Sequence, residues 1–283
     1  MHSIASTLDL CMTRLQKAGI DNVRLEARLL MCHVLKVDTS ILVAYPERDV
    51  SSEDFVQIES LLQRREQREP LSQILGEREF WSLPFKVNRY TLTPRPDSET
   101  LIEAVLTHVP DVAQKLSVLD LGVGSGCLLL SVLSEYRNAT GLGVDISQAA
   151  LDVALQNAQN LGLSARCHFQ QGNWAEGIGG PFDLILSNPP YIPLRDKETL
   201  DPEVKDYEPA TALFSGEDGL EDYCRLAEVL PQLLNSDGLA VLEQGIGQAP
   251  DVAEIMRNHG LMVIDQPKDL AGIERCTVIR KKL

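Results

Sequence analysis

One stretch of this chain, Leu186-Ser187-Asn188-Pro189-Pro190-Tyr191, has the residue types needed to hold a planar group. A carboxamide side chain offers one acceptor and two donors. The aromatic ring nearby supplies a flat face. Two prolines stiffen the backbone between them and leave no room for a helix to begin. The preceding Phe182-Asp183-Leu184-Ile185-Leu186 reads as a short buried strand. Asn188 therefore stands at a strand's C-terminal end, the edge where open α/β sheets bind ligands. The pattern suits a flat amino or amide group held still. Asn-Pro also starts ordinary turns and Pro-Pro also ends strands, so this stretch alone leaves both readings open.

A second motif lies upstream. Val118-Leu119-Asp120-Leu121-Gly122-Val123-Gly124-Ser125-Gly126 runs from a strand into a glycine-rich turn before a helix. Glycine permits positive φ and lets a ligand approach the backbone closely. The helix N-terminus beyond adds free N–H groups and a partial positive charge. The spacing is G-x-G-x-G, whereas the dinucleotide fingerprint is G-x-G-x-x-G, which argues against NAD. Asp145 ends the following strand, where an acid can bind ribose hydroxyls. Asn173-Trp174 come just after the third strand of the series. Trp174 either covers an adenine face, with Asn173 at the base's edge, or is a plain core aromatic.

Composition narrows the classes. The chain has 283 residues, 44% hydrophobic and 24% charged, enough for two cores. No apolar run approaches the ~20 residues that span a bilayer. The N-terminus lacks the build of a signal or transit peptide, so a cytoplasmic location is expected. Six scattered cysteines form no C-x-x-C pair, and the five histidines are equally dispersed. Neither a metal site nor a disulfide framework is expected, and Cys127 and Cys276 read as small core residues. Net charge is −15, which disfavours a surface built to grip a nucleic-acid backbone. A local basic patch around Arg64, Arg65 and Arg68 stays open; the balance otherwise favours a protein or small-molecule substrate.

The elements that must position these motifs follow from periodicity. Ser3 to Lys17, Val23 to Leu35, Asp38 to Tyr45 and Ser51 to Glu69 carry helical spacing, predicting a small bundle that ends at Pro70. Glu79 to Leu92 changes to a strand period and predicts a β-hairpin. Thr93-Pro94-Arg95-Pro96-Asp97-Ser98-Glu99 then links rigidly into a helix, with Asp97 or Ser98 as cap and Arg95 and Glu99 placed to face a cleft. Strands are predicted at Ser117–Leu121, Thr140–Val144, Arg166–Gln170, Asp183–Leu186, Gly238–Glu243, Leu261–Asp265 and Cys276–Arg280. Helices at 127–135, 147–161, 217–234 and 249–258 alternate with them, the mark of a doubly wound sheet. The last two strands lack a helix between them, as a terminal antiparallel pair requires.

Both motifs together resemble the class I S-adenosylmethionine-dependent methyltransferases. With Arg78-Glu79-Phe80-Trp81-Ser82-Leu83 and Thr93-Pro94-Arg95-Pro96-Asp97-Ser98-Glu99 added, the chain is similar to the HemK/PrmC family. Those are the N5-glutamine methyltransferases of peptide chain release factors, and the resemblance covers nearly the whole chain. It implies a Rossmann-like, seven-stranded α/β domain at 94–283, after an all-α helical substrate-recognition domain at 1–75 and a β-hairpin linker at 76–93. It further implies S-adenosylmethionine held by Gly122, Val123, Gly124, Ser125, Gly126, Asp145, Asn173 and Trp174, with Asn188 between cofactor and substrate. Asn188, Pro189, Pro190 and Tyr191 would receive the glutamine of a Gly-Gly-Gln motif, with Asn188, Pro189 and Tyr191 catalytic. The implied partner is a class 1 release factor met by a monomer, without direct nucleic-acid or membrane contact. Val123 replaces a threonine frequent in that loop, and Asn173 stands where aspartate is common. The N-P-P-Y box is shared with enzymes that methylate nucleic-acid amines, so that alternative and a non-catalytic scaffold stay open at this stage.

Overall fold

The computed structural model describes residues 2–282. The chain divides into two compact units, Met1–Gly76 with Asp201–Tyr207, and Glu77–Leu200 with Glu208–Leu283. No helix among the described residues is long and apolar enough to cross a membrane.

The first unit holds β1 (His2–Ser3), α1 (Ile4–Lys17), α2 (Val23–Leu35), α3 (Thr39–Ala44), β2 (Asp49–Val50), α4 (Ser52–Glu66) and α5 (Leu71–Leu75). Ser3 and Ser51 start their helices because their hydroxyls accept the N–H of Ser6 and Asp54, at 3.2 and 3.0 Å. The apolar stripes meet in a core that includes Ile4, Cys11, Leu15, Leu30, Ile58 and Leu62. The β1–β2 pair and α5 are too short to carry a readable period. Pro70, expected as a stop, is also the N-cap of α5.

Arg64, Arg65 and Arg68 do not make a basic patch. Arg64 pairs with Glu69, while Arg65 reaches Glu26 at 2.6 Å and Glu203 at 3.0 Å. Arg68 meets the second oxygen of Glu203 at 2.8 Å. Glu203 comes from the segment that the chain lends to this unit between Leu200 and Glu208. Tyr207 of the same segment donates its hydroxyl to the Gln67 carbonyl at 2.6 Å.

The second unit opens with β3 (Glu77–Phe80) and β4 (Leu83–Lys86), an antiparallel hairpin that belongs to this unit instead of standing apart. Its two-residue turn, Trp81-Ser82, has positive φ at both positions, the conformation usually given to Asn-Gly. Glu99 holds it by accepting the Trp81 N–H at 2.8 Å, and Glu135 accepts the indole N–H at 2.7 Å. Glu99 therefore serves the hairpin and does not line the cleft.

Then follow α6 (Glu99–His108), β5 (Ser117–Leu121), α7 (Cys127–Glu135), β6 (Thr140–Asp145), α8 (Gln148–Asn160), β7 (Cys167–Gln171) and β8 (Phe182–Ser187). After α9 (Pro202–Lys205) come α10 (Glu221–Leu233), β9 (Leu234–Glu243), α11 (Ala249–Asn258), β10 (Leu261–Asp265) and β11 (Cys276–Lys281). Seven strands form one sheet in the order β10-β11-β9-β8-β5-β6-β7, with helices supplying cores on its faces. Only β11 runs against its neighbours, inserted between β9 and β10.

Several boundaries differ from the periodicity: the hairpin spans 77–86 instead of 79–92, and α4 ends at Glu66 instead of Glu69. The helix expected from Glu217 starts at Glu221, because Gly219 sits at φ +81° in a turn. β9 starts at Leu234, not Gly238, since Leu234 pairs with Phe182 of β8. Neither Asp97 nor Ser98 caps α6; a 3-10 turn at Pro96–Ser98 runs straight into it.

Among the described residues, Arg65 is the one cation facing both Glu26 and Glu203 at these distances, and its side chain is 7% exposed. Arg65→Ala should leave half-buried Glu26 without its cation and Glu203 with Arg68 alone, lowering stability by about 3 kcal/mol. A urea titration followed by far-UV circular dichroism measures this, and an unchanged midpoint would contradict the pairing.

Candidate active site

The two motifs are neighbours because their strands are. β5 and β8 pair in parallel, with Leu121 opposite Ser187 and Asp120 opposite Leu186. Ser187 locks this register by donating its buried hydroxyl to the Leu121 carbonyl at 2.7 Å. Gly122 and Asn188 therefore leave adjacent strands side by side, about 5 Å apart by ordinary strand spacing. Strand order also reverses here: β6 and β7 lie on one side, β9 on the other. That is the switch point where open sheets leave a crevice.

A cavity of about 400 Å³ opens at this edge. Its wall includes Gly122, Val123, Gly124, Ser125, Asp145, Asn173, Trp174, Asn188 and Pro190, together with Thr93, Pro94 and Arg95. The glycine loop is hung from β6: the N–H groups of Gly122 and Val123 both donate to the Val144 carbonyl at 2.9 Å. Asp145 then accepts the Gly124 N–H on one carboxylate oxygen and the Ser147 N–H on the other, each at 2.9 Å. Gly122 and Gly124 hold φ of +78° and +53°, and a side chain on Gly122 would project into open space. Backbone is thus bared toward the cavity, as a ligand packed against the loop requires.

Several expected residues take other places. Gly126 does not border the cavity: it opens α7, and its α-carbon faces Leu130 and Ala154. Pro189 is buried, and neither it nor Tyr191 borders the cavity. The Tyr191 ring packs on the core that contains Leu119, Ile185 and Leu242. Its carbonyl accepts the Gln248 amide at 3.0 Å and lies where a side chain on Gly219 would collide, at 2.3 Å. Asn173 gives its amide to Glu176 at 3.2 Å. Trp174 both borders the cavity and packs on that core. Cys127, read as a core residue, is half-buried against the core that contains Leu128 and Leu129 and also borders the cavity, while Cys276 is buried. Arg95 does line the cavity and is tied to buried Glu208 at 2.8 Å.

Two buried carboxylates carry no signal in the sequence beyond an acid within an apolar strand. Asp120 accepts the Leu129 N–H at 3.2 Å through one oxygen; the other has no partner. Burial pushes this carboxyl up to about 7. Glu243, the last residue of β9, follows Leu242, which pairs with Ser187, so it stands next to Asn188 on the neighbouring strand; the Ser98 and Asn188 side chains favour its charged form, and its Oε2 has no partner. Burial raises it to about 7 as well. Asp145 is also raised by burial, against the N–H groups of Ser147 and Gly124. Ser98 makes no side-chain cap to α6, and Asp97 pairs with Arg275 at 2.6 Å. No group of three or more His, Cys, Asp or Glu among the described residues could hold a metal ion.

A seven-stranded sheet with one reversed strand, a glycine loop after β5, an acid ending β6 and an Asn-Pro-Pro-Tyr corner after β8 define a class I S-adenosylmethionine-dependent methyltransferase. The bared loop backbone and the Asp145 carboxylate beside it suit that cofactor. Comparison narrows the class. A family model of the PrmC N-terminal domain matches residues 7–76, and a methyltransferase domain model matches residues 113–268. The release factor glutamine methyltransferase of Rhodospirillum rubrum is 45% identical, over 95% of this chain and 82% of that one. The proteins of the same name from Caulobacter vibrioides and Agrobacterium fabrum are 42% and 38% identical. They cover 93% and 99% of this chain, and 91% and 98% of their own lengths. The chain belongs to the release factor glutamine methyltransferase family. Among solved structures, the hMettl16 catalytic domain in complex with MAT2A 3'UTR hairpin 6 superposes with a TM-score of 0.57. It is 14% identical, over 82% of this chain and 83% of that one, a likeness of fold alone.

The carboxyls of Asp120, Asp145 and Glu243 all sit above their unfolded values, so the folded protein binds more protons than the unfolded chain in the interval between. Stability of the ligand-free protein should therefore fall as pH rises from about 4.5 to about 7. Carboxyls held low by their partners, such as Asp183 and Glu203, weaken the fold only at more acidic pH. Calorimetric melting across this window checks the sign, and Asp120→Asn should flatten the slope.

Proposed function

We propose that this chain transfers a methyl group from S-adenosylmethionine to the side-chain amide nitrogen of a glutamine. The glutamine is that of the Gly-Gly-Gln motif of class 1 peptide chain release factors. The names of the curated relatives support the substrate, and the observation that carries the chemistry is Asn188 placed one strand from the glycine loop in a single cavity. The bound cofactor supplies a methyl group on a positively charged sulfur. Gly122, Val123, Gly124 and Ser125 hold it by backbone, Asp145 accepts its ribose hydroxyls, and Trp174 covers the adenine. The net charge of −15 and the arginines already paired with carboxylates fit a protein substrate better than a nucleic acid. The reading places the enzyme in the cytoplasm, acting as a monomer.

A carboxamide nitrogen is a weak nucleophile because its lone pair is delocalised into the carbonyl. The chain's contribution is positioning. Asn188 Oδ1, on the cavity wall, accepts an amide hydrogen of the substrate and orients its nitrogen for transfer, while buried Pro189 stiffens the backbone that carries Asn188. Pro190 closes the wall beside them, and Tyr191 anchors the corner through its core-packed ring. As the new N–C bond forms and the S–C bond breaks, nitrogen becomes acidic and gives its proton to water, so no general base is needed. Such orientation can contribute ~7–11 kcal/mol to lowering a barrier.

Labelled-methyl transfer to a purified release factor tests this reading. Label should enter the Gly-Gly-Gln protein and be absent from a Gly-Gly-Ala variant. Asn188→Ala should cut kcat by about 10²-fold or more with its fold retained. Label on the alanine substrate, or full turnover by Asn188→Ala, would contradict the assignment.

A further inference from the structure

Asn188 can serve as an acceptor toward substrate only if its amide faces the right way. A carboxamide is nearly symmetric in shape, so packing alone does not choose between Oδ1 and Nδ2 at the cavity wall. The difference is decisive for a glutamine amide, because Nδ2 would oppose its N–H donors with donors of its own. Something behind Asn188 has to break the symmetry.

Glu243 is placed to do so. It ends β9, the strand next to β8 on the side away from the glycine loop. Its side chain is 3% exposed and does not border the cavity. The register that pairs Leu242 with Ser187 sets Glu243 beside Asn188 on the next strand; the Asn188 and Ser98 side chains both favour its charged form, and Oε2 has no partner. An ionised carboxylate is acceptor-only. Asn188 must therefore turn Nδ2 toward Glu243, and Oδ1 is left for the cavity.

We propose that Glu243 is the positioning residue that sets which end of the Asn188 amide faces the substrate. The proposal rests on the glutamine-methylating reading above. It also accounts for an expensive feature: a buried, incompletely paired carboxylate costs stability, yet a neutral apolar residue here would leave the amide free to flip.

The charged and titratable groups around Glu243 agree with this role. Arg275, whose charge favours the ionised carboxylate, is already committed to Asp97 and Asp269 at 2.6 Å each, so it steadies Glu243 without capping it. Tyr191, Tyr223, Cys127 and Cys276, from the corner, α10, α7 and β11, all feel its charge, and burial holds each in its neutral form. Ser98 brings the Arg95-Pro96-Asp97-Ser98-Glu99 link into the same network, which gives that segment a purpose at the reaction centre. Protonated Glu243 becomes a donor and permits the flipped amide. With this carboxyl raised to about 7, kcat/KM should fall as pH drops below about 7.

Glu243→Met and Glu243→Gln test the proposal, after thermal melts confirm that each folds. Met has no acceptor; Gln, like the protonated carboxyl, offers a donor as well as an acceptor. Glu243→Met should lose kcat about 10²-fold with the dissociation constant for S-adenosylmethionine unchanged. Glu243→Gln should show, at every pH, about the reduced rate that the wild-type enzyme reaches at the foot of its acid limb, with no acid limb of its own. Independently of turnover, the Asn188 side-chain NH₂ resonances, assigned by their loss in Asn188→Ala, should shift in Glu243→Met and in Glu243→Gln should match their wild-type positions at low pH. Unmoved Asn188 resonances in folded Glu243→Met, or its full kcat, would overturn the proposal. If the wild-type enzyme leaves glutamine unlabelled, the functional reading fails instead, and the resonances still decide the geometry.

Discussion

The parallel register of β5 against β8 is the constraint from which the site follows. With Leu121 opposite Ser187, the last hydrogen-bonded residues of two strands lie side by side, and their loops leave the sheet at one point. The residues so joined are 66 apart in sequence. A slip of one residue would turn every side chain of β8 to the opposite face and carry Asn188 away from the glycine loop. The buried Ser187 hydroxyl, spent on the Leu121 carbonyl, is what a slipped register would leave unsatisfied.

Around that junction, rigidity comes from backbone more than from side-chain contact. Val144 offers one carbonyl to two successive N–H groups of the loop, and Asp145 clasps the next glycine. On the other strand, Gln248 donates to the Tyr191 carbonyl and accepts from the Gly245 N–H. Gly219 keeps the space beside that carbonyl clear. An enzyme that works by orientation needs this, since small displacements of the reacting nitrogen are expensive.

Acids concentrated behind the cavity are the second consequence of the fold. Asp120, Asp145 and Glu243 end or nearly end β5, β6 and β9, which with β8 are four consecutive strands, so all three lie at the C-terminal edge of the sheet. Burial disfavours their charge; N–H or O–H donors relieve each in part, and Arg275 also acts on Glu243. Folding thus stores an unfavourable electrostatic arrangement where the chemistry occurs, as functional sites commonly do.

Much of this was legible in the chain itself. Strand and helix alternation, the G-x-G-x-G loop, Asp145 and the Asn-Pro-Pro-Tyr corner are local patterns, each written in consecutive residues whose backbone preferences need no partner. The insertion of β11 between β9 and β10 is non-local, because either strand's apolar pattern suits several neighbours. So is the inward turn of Gly126, set by Leu130 and Ala154, and the pairing of the Arg64–Arg68 cluster with acids as distant as Glu203. Glu243 shows the limit most plainly. In sequence it is one acid closing an apolar strand; only the folding of β9 beside β8 brings it to Asn188. Sequence determined which chemistry the residues are capable of, since that is a property of side chains and short-range backbone geometry. Tertiary structure decided which side chains meet, since strand pairing and burial act between residues that the chain keeps far apart.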